Sequence, residues 1–288
     1  EHDFIAYWSA SRLLATGGNP YDPVALRTLQ YATRPQLVTE PGAIFTVWNP
    51  PWLLLILLPL GFLPFAWAVP VWVFCNTLLI GIAIIISWDM LVESPDRRGL
   101  RIALLAGFLL GQTLGDYGVG QITGLILIGV VFSVKCLKSG RFGWAGIVLL
   151  LTTIKPHLTY LILLLILVWS VRYGHWRVLG GMVIAAVATG IIVCAIVPGW
   201  ILSYFQLILS LPYPHLYTAT LDGFARFVFG FHGFRFAGLL LAPLAVFPLL
   251  RLIQERGWLT AMNVALLISV PIAPYGFGSD QIILLPAI

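Results

Sequence analysis

Charge is what this chain has least of. Asp, Glu, Lys and Arg make up 9% of its 288 residues and hydrophobic residues 60%, whereas a water-soluble domain carries about 25% charged residues. That leaves too little polar surface for a soluble fold of this length. The usual marks of soluble enzymes are missing too. There is no HExxH, GxSxG, Walker loop or GxGxxG, so zinc hydrolysis, serine hydrolysis, P-loop chemistry and dinucleotide binding have no support. Cysteine is scarce and odd in number: Cys75, Cys136 and Cys194 each lie in or at the end of an apolar run, with no CxxC spacing. A disulfide framework and a thiolate metal site are excluded. No cluster of ligating side chains points to a metal or any other cofactor. A net charge of +5, spread along the chain, is too weak for a nucleic-acid partner.

What the chain has instead is hydrocarbon in long runs. Mean hydropathy is +0.97, and runs near the ~20 residues needed to cross a bilayer recur. They predict an all-α polytopic membrane protein. Phe65–Trp88, Gly99–Tyr117, Gln121–Cys136, Phe142–Ile154, Leu158–Val171, Val178–Val197, Phe236–Leu250, Trp258–Ala273 and Ile282 onward give about nine spans, the last cut short. The chain opens on Glu1 rather than Met and stops inside an apolar run, so a fragment lacking at least one span on each side is expected. Two parts are expected: residues 1–64, a polar loop with an amphipathic and a juxtamembrane helix, and 65–288, the transmembrane bundle with a loop over 198–235.

Basic residues set the expected orientation. Arg97, Arg98 and Arg101, then Lys135, Lys138 and Arg141, then Arg172 and Arg177, then Arg251 and Arg256 fall in four short loops, every second connection between successive spans. By the positive-inside rule these loops are cytoplasmic. Residues 1–47, Gly115–Gly120, Lys155–His157, Pro198–Arg235 and Tyr275–Gln281 then face outward across the cytoplasmic membrane. The assignment requires that Trp52–Pro64 not cross. Its 13 or so residues make roughly 20 Å of helix against a core of about 30 Å, so a juxtamembrane or re-entrant helix entered through Asn49-Pro50-Pro51 is expected. A further interfacial helix is expected near Trp200–Leu211.

The candidate site residues are polar groups at the ends of these runs. Asp3 precedes the expected helix 4–16, which Gly17-Gly18 stops. It reads either as an N-cap or as a general base beside an apolar surface. The first loop, Asn19 to Pro51, holds six prolines and is long enough to suggest function. Lys155-Pro156-His157 stands between two apolar runs, either as a phosphate-binding lysine with a proton-handling histidine or as a snorkelling lysine beside a helix-breaking proline. Gln121 opens a span as a cap or a hydrogen-bonding ligand. Asp116 and Asp280 lie among glycines, where turn formation accounts for them. Arg226 reads as an i,i+4 partner of Asp222 or as an anion ligand.

The order of these features resembles that of the family 87 glycosyltransferases, GT-C membrane enzymes that use polyprenol-phosphate mannose. The resemblance is carried by Asp3-Phe-Ile-Ala-Tyr7, Ser9-Ala10 and Leu13-Leu14, then by Gly17-Gly-Asn-Pro-Tyr21-Asp22. Pro50-Pro51 with Leu58-Pro59-Leu60 and Leu63-Pro64, Gly120-Gln121, Lys155-Pro156 and Ser269…Pro274-Tyr275…Asp280 come after them in matching order. The chain departs from the pattern at Trp48-Asn49, before Pro50, and at Ile122-Thr123, after Gln121. The resemblance implies a GT-C-type helix bundle with outer-face juxtamembrane helices. It implies Asp3 as the base that deprotonates an acceptor hydroxyl, with inversion at the sugar. Lys155, His157 and Arg226 would hold the donor phosphate, and Gln121, Tyr7 and Asp280 would contact substrate. The partners implied are a polyprenyl-phosphate sugar donor, a lipid or glycan acceptor and the surrounding lipids, with no metal. A lipid or sugar transporter is the alternative; it calls for ionisable groups buried mid-span and for repeat symmetry.

Overall fold

The computed structural model describes residues 2–37, 44–92, 96–209, 218–230 and 237–288. Among them every regular element is helical and there is no strand. Glu1, Glu40 and Arg235, which belong to segments expected to face outward, lie outside the described residues, as does the end of the helix expected to reach Leu211. Among the described residues two helices are long and apolar enough to cross a membrane: α4 (Phe65–Leu91) and α10 (Trp176–Ile196). A bent pair, α5 (Arg97–Leu109) and α6 (Gly111–Val119), makes a third candidate if it counts as one span. The other expected spans form shorter helices: α7 (Thr123–Lys138), α8 (Phe142–Leu149), α9 (Pro156–Arg172), α13 (Ala237–Arg256) and α14 (Trp258–Ser269).

Two compact units emerge from the contacts. One comprises residues 1–76, 117–121 and 186–213; the other comprises 77–116, 122–185 and 214–288.

The first unit is built on α1 (His2–Ala15), α2 (Pro23–Thr33) and α3 (Trp52–Gly61). The amphipathic reading of α1 is corrected here, because all residues from Phe4 to Ser11 are buried. A helix that is apolar all round belongs in a core. Its polar groups are tied to α3 and the turn beyond it: Trp8 Nε1 donates to Leu63 O at 3.0 Å and an Arg12 nitrogen donates to Gly61 O at 3.0 Å. A Cβ on Gly61 would stand 2.3 Å from Ser11 O, so glycine is what lets α1 and α3 meet. The loop expected over 19–51 is in part helical. Asp22 Oδ1 accepts from Val24 N and Ala25 N at 2.9 and 3.3 Å, and Pro23 opens α2, a start signal legible in the sequence. Fully buried Gln30 pins the chain near Phe45 against α1 and α2, donating to Ser9 Oγ and Phe45 O and accepting from Phe45 N. A helix is present where one was expected near Trp200, as α11 (Trp200–Leu209).

In the second unit α7 is the hub, with 12 of its 16 residues buried. It packs on α8, on the 3-10 turn Leu150–Ile154 and on α14, while α9 packs on α13 and α14. Glycine brings α8 and α10 together: a Cβ on Gly146 would stand 1.9 Å from Val178 O, and one on Gly181 2.1 Å from Gly143 O. Small residues at such crossings let backbones approach and dispersion hold them. Two expected spans come out differently. Gly99–Tyr117 is broken by 51° at Leu110, whose ψ of 133° is extended; Thr113 Oγ1 donates to Gly107 O at 2.7 Å. The segment from Ile282 is the end of a 3-10 helix, Gly278–Ala287, that carries Pro286.

Candidate active site

The first unit gathers three of the expected site residues. Asp3 sits in the first turn of α1 and is half-buried. It is a helical residue, so the N-cap expected of it is corrected. Its Oδ2 accepts from Gln121 Nε2, while Oδ1 takes no hydrogen bond among the described residues. Tyr7, one turn along the same helix, donates its hydroxyl to Gln121 Oε1 at 3.4 Å. Gln121 therefore lies between Asp3 and Tyr7 with both ends of its amide engaged. It is not the cap of α7 either; Ile122 occupies that position.

Two residues that the sequence reading missed hold Gln121. Its carbonyl accepts from Trp72 Nε1 at 3.0 Å and from Asn76 Nδ2 at 3.5 Å, both from α4. The signal was present: Asn76 is a lone amide inside an apolar run, four residues after Trp72. Gly120 sets the direction of the turn with a φ of 75°, and a Cβ there would stand 2.6 Å from Phe4 Cβ. Phe4 is in turn stacked on Trp72 at 6.3 Å and close to Phe65 at 6.0 Å. The backbone beside Asp3 is thus packed from both sides. A half-buried carboxylate, oriented through one oxygen by a neutral amide, is equipped to accept a proton from a hydroxyl that reaches its other oxygen.

The second unit holds the remaining expected residues, and each has a partner. Lys155 occupies the cap position of α9, with Pro156 as the first helical residue. Its Nζ lies 2.5 Å from Asp280 Oδ1, and both side chains are buried. Asp280 Oδ2 accepts from Phe277 N at 2.9 Å. Burial alone would raise the Asp280 pKa, but the charge and hydrogen bond of Lys155, with the Phe277 N–H, hold it below the ordinary carboxylate value. The turn reading of Asp280 therefore lacked its main feature, a buried ion pair. His157 precedes the apolar run 158–171 and is covered by Tyr275, ring centroids 3.8 Å apart and 25° from parallel. Burial, with Lys155 adding to it against the pull of Asp280, lowers the His157 pKa to about 3, so its imidazole is neutral at physiological pH.

Arg226 makes the expected i,i+4 pair in α12 (Leu221–Phe229), with Nε 3.0 Å from Asp222 Oδ2. Thr220 caps that helix on Gly223 N at 3.3 Å, and Gly230 ends it at φ 64°. Asp116 is buried within α6 rather than placed in a turn. Among the described residues no three His, Cys, Asp or Glu side chains converge as metal ligands would.

The sequence profile of Glycosyltransferase family 87 matches residues 45–226, more than half of the chain. The matched stretch takes in Gln121, Lys155, His157 and Arg226, while Asp3, Tyr7 and Asp280 flank it. No curated protein matches the chain, and no solved structure does. Membrane-spanning helices and a family match of this extent agree: the chain belongs to glycosyltransferase family 87.

Proposed function

We propose that the chain moves a sugar, mannose in the first instance, from a polyprenyl-phosphate donor to a lipid or glycan acceptor at the outer face of the cytoplasmic membrane. In this reading Asp3 takes the proton of the acceptor hydroxyl. The hydroxyl oxygen forms the new bond to the anomeric carbon from the face opposite the phosphate. The bond from that carbon to the phosphate oxygen breaks, and polyprenyl phosphate leaves with the electron pair. Gln121 and Tyr7 orient the carboxylate. The observation that carries the reading is the Asp3 carboxylate, half-buried at the head of α1 and bonded through one oxygen to Gln121. Family membership supports the reaction class and leaves a transporter without a footing. The donor, acceptor and membrane face rest on the resemblance and on the distribution of Lys and Arg. The resemblance makes Lys155, His157 and Arg226 donor-side groups; each already contacts Asp280, Tyr275 or Asp222, and only His157 and Arg226 keep that role in the reading.

The test uses the full-length protein in membranes supplied with labelled polyprenyl-phosphate mannose. Asp3→Asn keeps the side chain's shape and removes its basicity. Loss of a general base costs roughly 10²–10⁴ in rate, so label transfer should fall by that factor with insertion and melting temperature unchanged. Transfer at the wild-type rate would move the base elsewhere. If wild type transfers no mannose, the other polyprenyl-phosphate sugars come next.

A further inference from the structure

The stretch from Lys155 to Leu158 is held against the end of α14 and the chain beyond it by three contacts. Lys155 Nζ meets Asp280 Oδ1 at 2.5 Å, His157 stacks on Tyr275, and Ser269 Oγ donates to Leu158 O at 2.9 Å. The chain beyond α14 also reaches the start of α12. Pro271 O accepts from Leu221 N and Gly276 O from Ala219 N, both at 2.8 Å. Residues 271–280 thus bridge the lysine corner and α12 within the second unit.

Charge and burial argue against this lysine as a phosphate ligand. Lys155 is 6% exposed and Asp280 1%, so two opposite charges neutralise each other out of reach of solvent. A phosphate approaching Nζ would meet a carboxylate already in contact with it. The other carboxylate oxygen is held by the Phe277 N–H, so Asp280 does not swing aside without uncapping its own helix. His157 and Tyr275, by contrast, are only half-buried and present the accessible edge of the cluster.

We propose that Lys155 and Asp280 are positioning residues, a buried clasp whose charges serve each other and fix the 271–280 segment. Through it they hold the His157–Tyr275 stack and the entry to α12, and they do not hold the donor phosphate. The activity arm of the test rests on the transfer reaction proposed above; the stability arm does not.

The experiment is a double-mutant cycle in the full-length protein: Lys155→Met, Asp280→Asn, and the two combined. Each single change leaves one buried charge unpaired, so both singles should melt several degrees lower, by similar amounts. Lost orientation lowers kcat rather than raising KM. Both singles should therefore lose about tenfold or more in kcat, with donor KM within about threefold. The double variant should recover most of the melting temperature and the rate, because it leaves no buried charge unpaired and the asparagine carbonyl still accepts from Phe277 N. A phosphate-binding lysine gives opposite signs: Lys155→Met raises donor KM, while Asp280→Asn removes a repelling charge and lowers it. That split overturns the clasp, as does a double variant that melts like wild type yet transfers nothing. A double variant that stays unstable overturns it as well. If wild type transfers no sugar from this donor, the transfer reading fails, and the melting cycle still decides the clasp.

Discussion

A single methyl group at residue 120 should disable the Asp3 site while one at residue 118 should not. Gly120 has a φ of 75°, in the left-handed region, where an L side chain costs about 1–2 kcal/mol. An alanine Cβ would stand 2.6 Å from Phe4 Cβ, whereas carbon atoms rest about 3.5–4.0 Å apart. The gap to be opened is therefore about 1 Å. Phe4 Cβ lies at the root of its side chain, and the ring is fixed between Trp72 and Phe65, so a rotamer change does not relieve the contact. The backbone of the first turn of α1 must move. Overpacking of this kind adds about 1–3 kcal/mol, giving about 2–5 kcal/mol in all for Gly120→Ala.

The displaced turn carries Asp3, and the displacing residue is next to Gln121. A misplacement of about 1 Å costs on the order of 10² in rate. Gly118→Ala is the control. A Cβ there meets no atom within 4 Å, and within α6 alanine is up to ~1 kcal/mol better than glycine. Both variants would be purified full-length, melted in detergent and assayed for transfer of labelled sugar. Equal melting temperatures and equal rates for the two would refute the packing argument. A Gly120→Ala protein that melts low but, held below its transition, transfers at the wild-type rate would separate this turn from catalysis.

The geometry sets three further outcomes. Gly146→Ala would put a Cβ 1.9 Å from Val178 O; a cost of about 1–3 kcal/mol or more should appear as a lower melting temperature, and an unchanged one would mean that α8 and α10 do not meet there. His157 gives a pH dependence with a definite sign. Unfolded, it takes a proton below about pH 6.5; folded, it refuses one until about pH 3. The unfolded state binds more protons in that window, so stability falls as pH drops from 6.5 toward 3. His157→Gln should flatten that part of a plot of melting temperature against pH, and an unaltered slope would mean that His157 is not the group responsible. Gln121→Leu removes both side-chain bonds on the Asp3–Tyr7 pair. It should lower kcat at least tenfold, in line with lost orientation, while leaving donor KM near its wild-type value; a rise in donor KM with kcat intact would make Gln121 a substrate ligand instead.

What the sequence made legible and what it hid divide along the range of the interaction. Helix ends carry local signals: Gly17-Gly18 after α1 was read as a stop, whereas Asp22-Pro23, an equally local start signal for α2, was left inside a loop. The broken helix at Leu110 was not readable, since no proline marks it, Gly111 beside it is one of many glycines within apolar runs, and the Gly107 carbonyl is met by a threonine six positions on. The site residues show the same division. Arg226 and Asp222 lie one turn apart, and the pair was anticipated. Lys155 and Asp280 are 125 positions apart, so in sequence each looked like a solitary charge, and a solitary charge at membrane depth reads as functional. The structure returns each to a partner. The same reasoning sets Asp3 apart: Asp222 and Asp280 are neutralised by a cation, Asp22 caps a helix, and Asp116 is fully buried, out of reach of an acceptor hydroxyl. Asp3 is held by a neutral amide, which orients a carboxylate without cancelling its charge. That is the condition a base must meet, and neither of the ion-paired acids meets it.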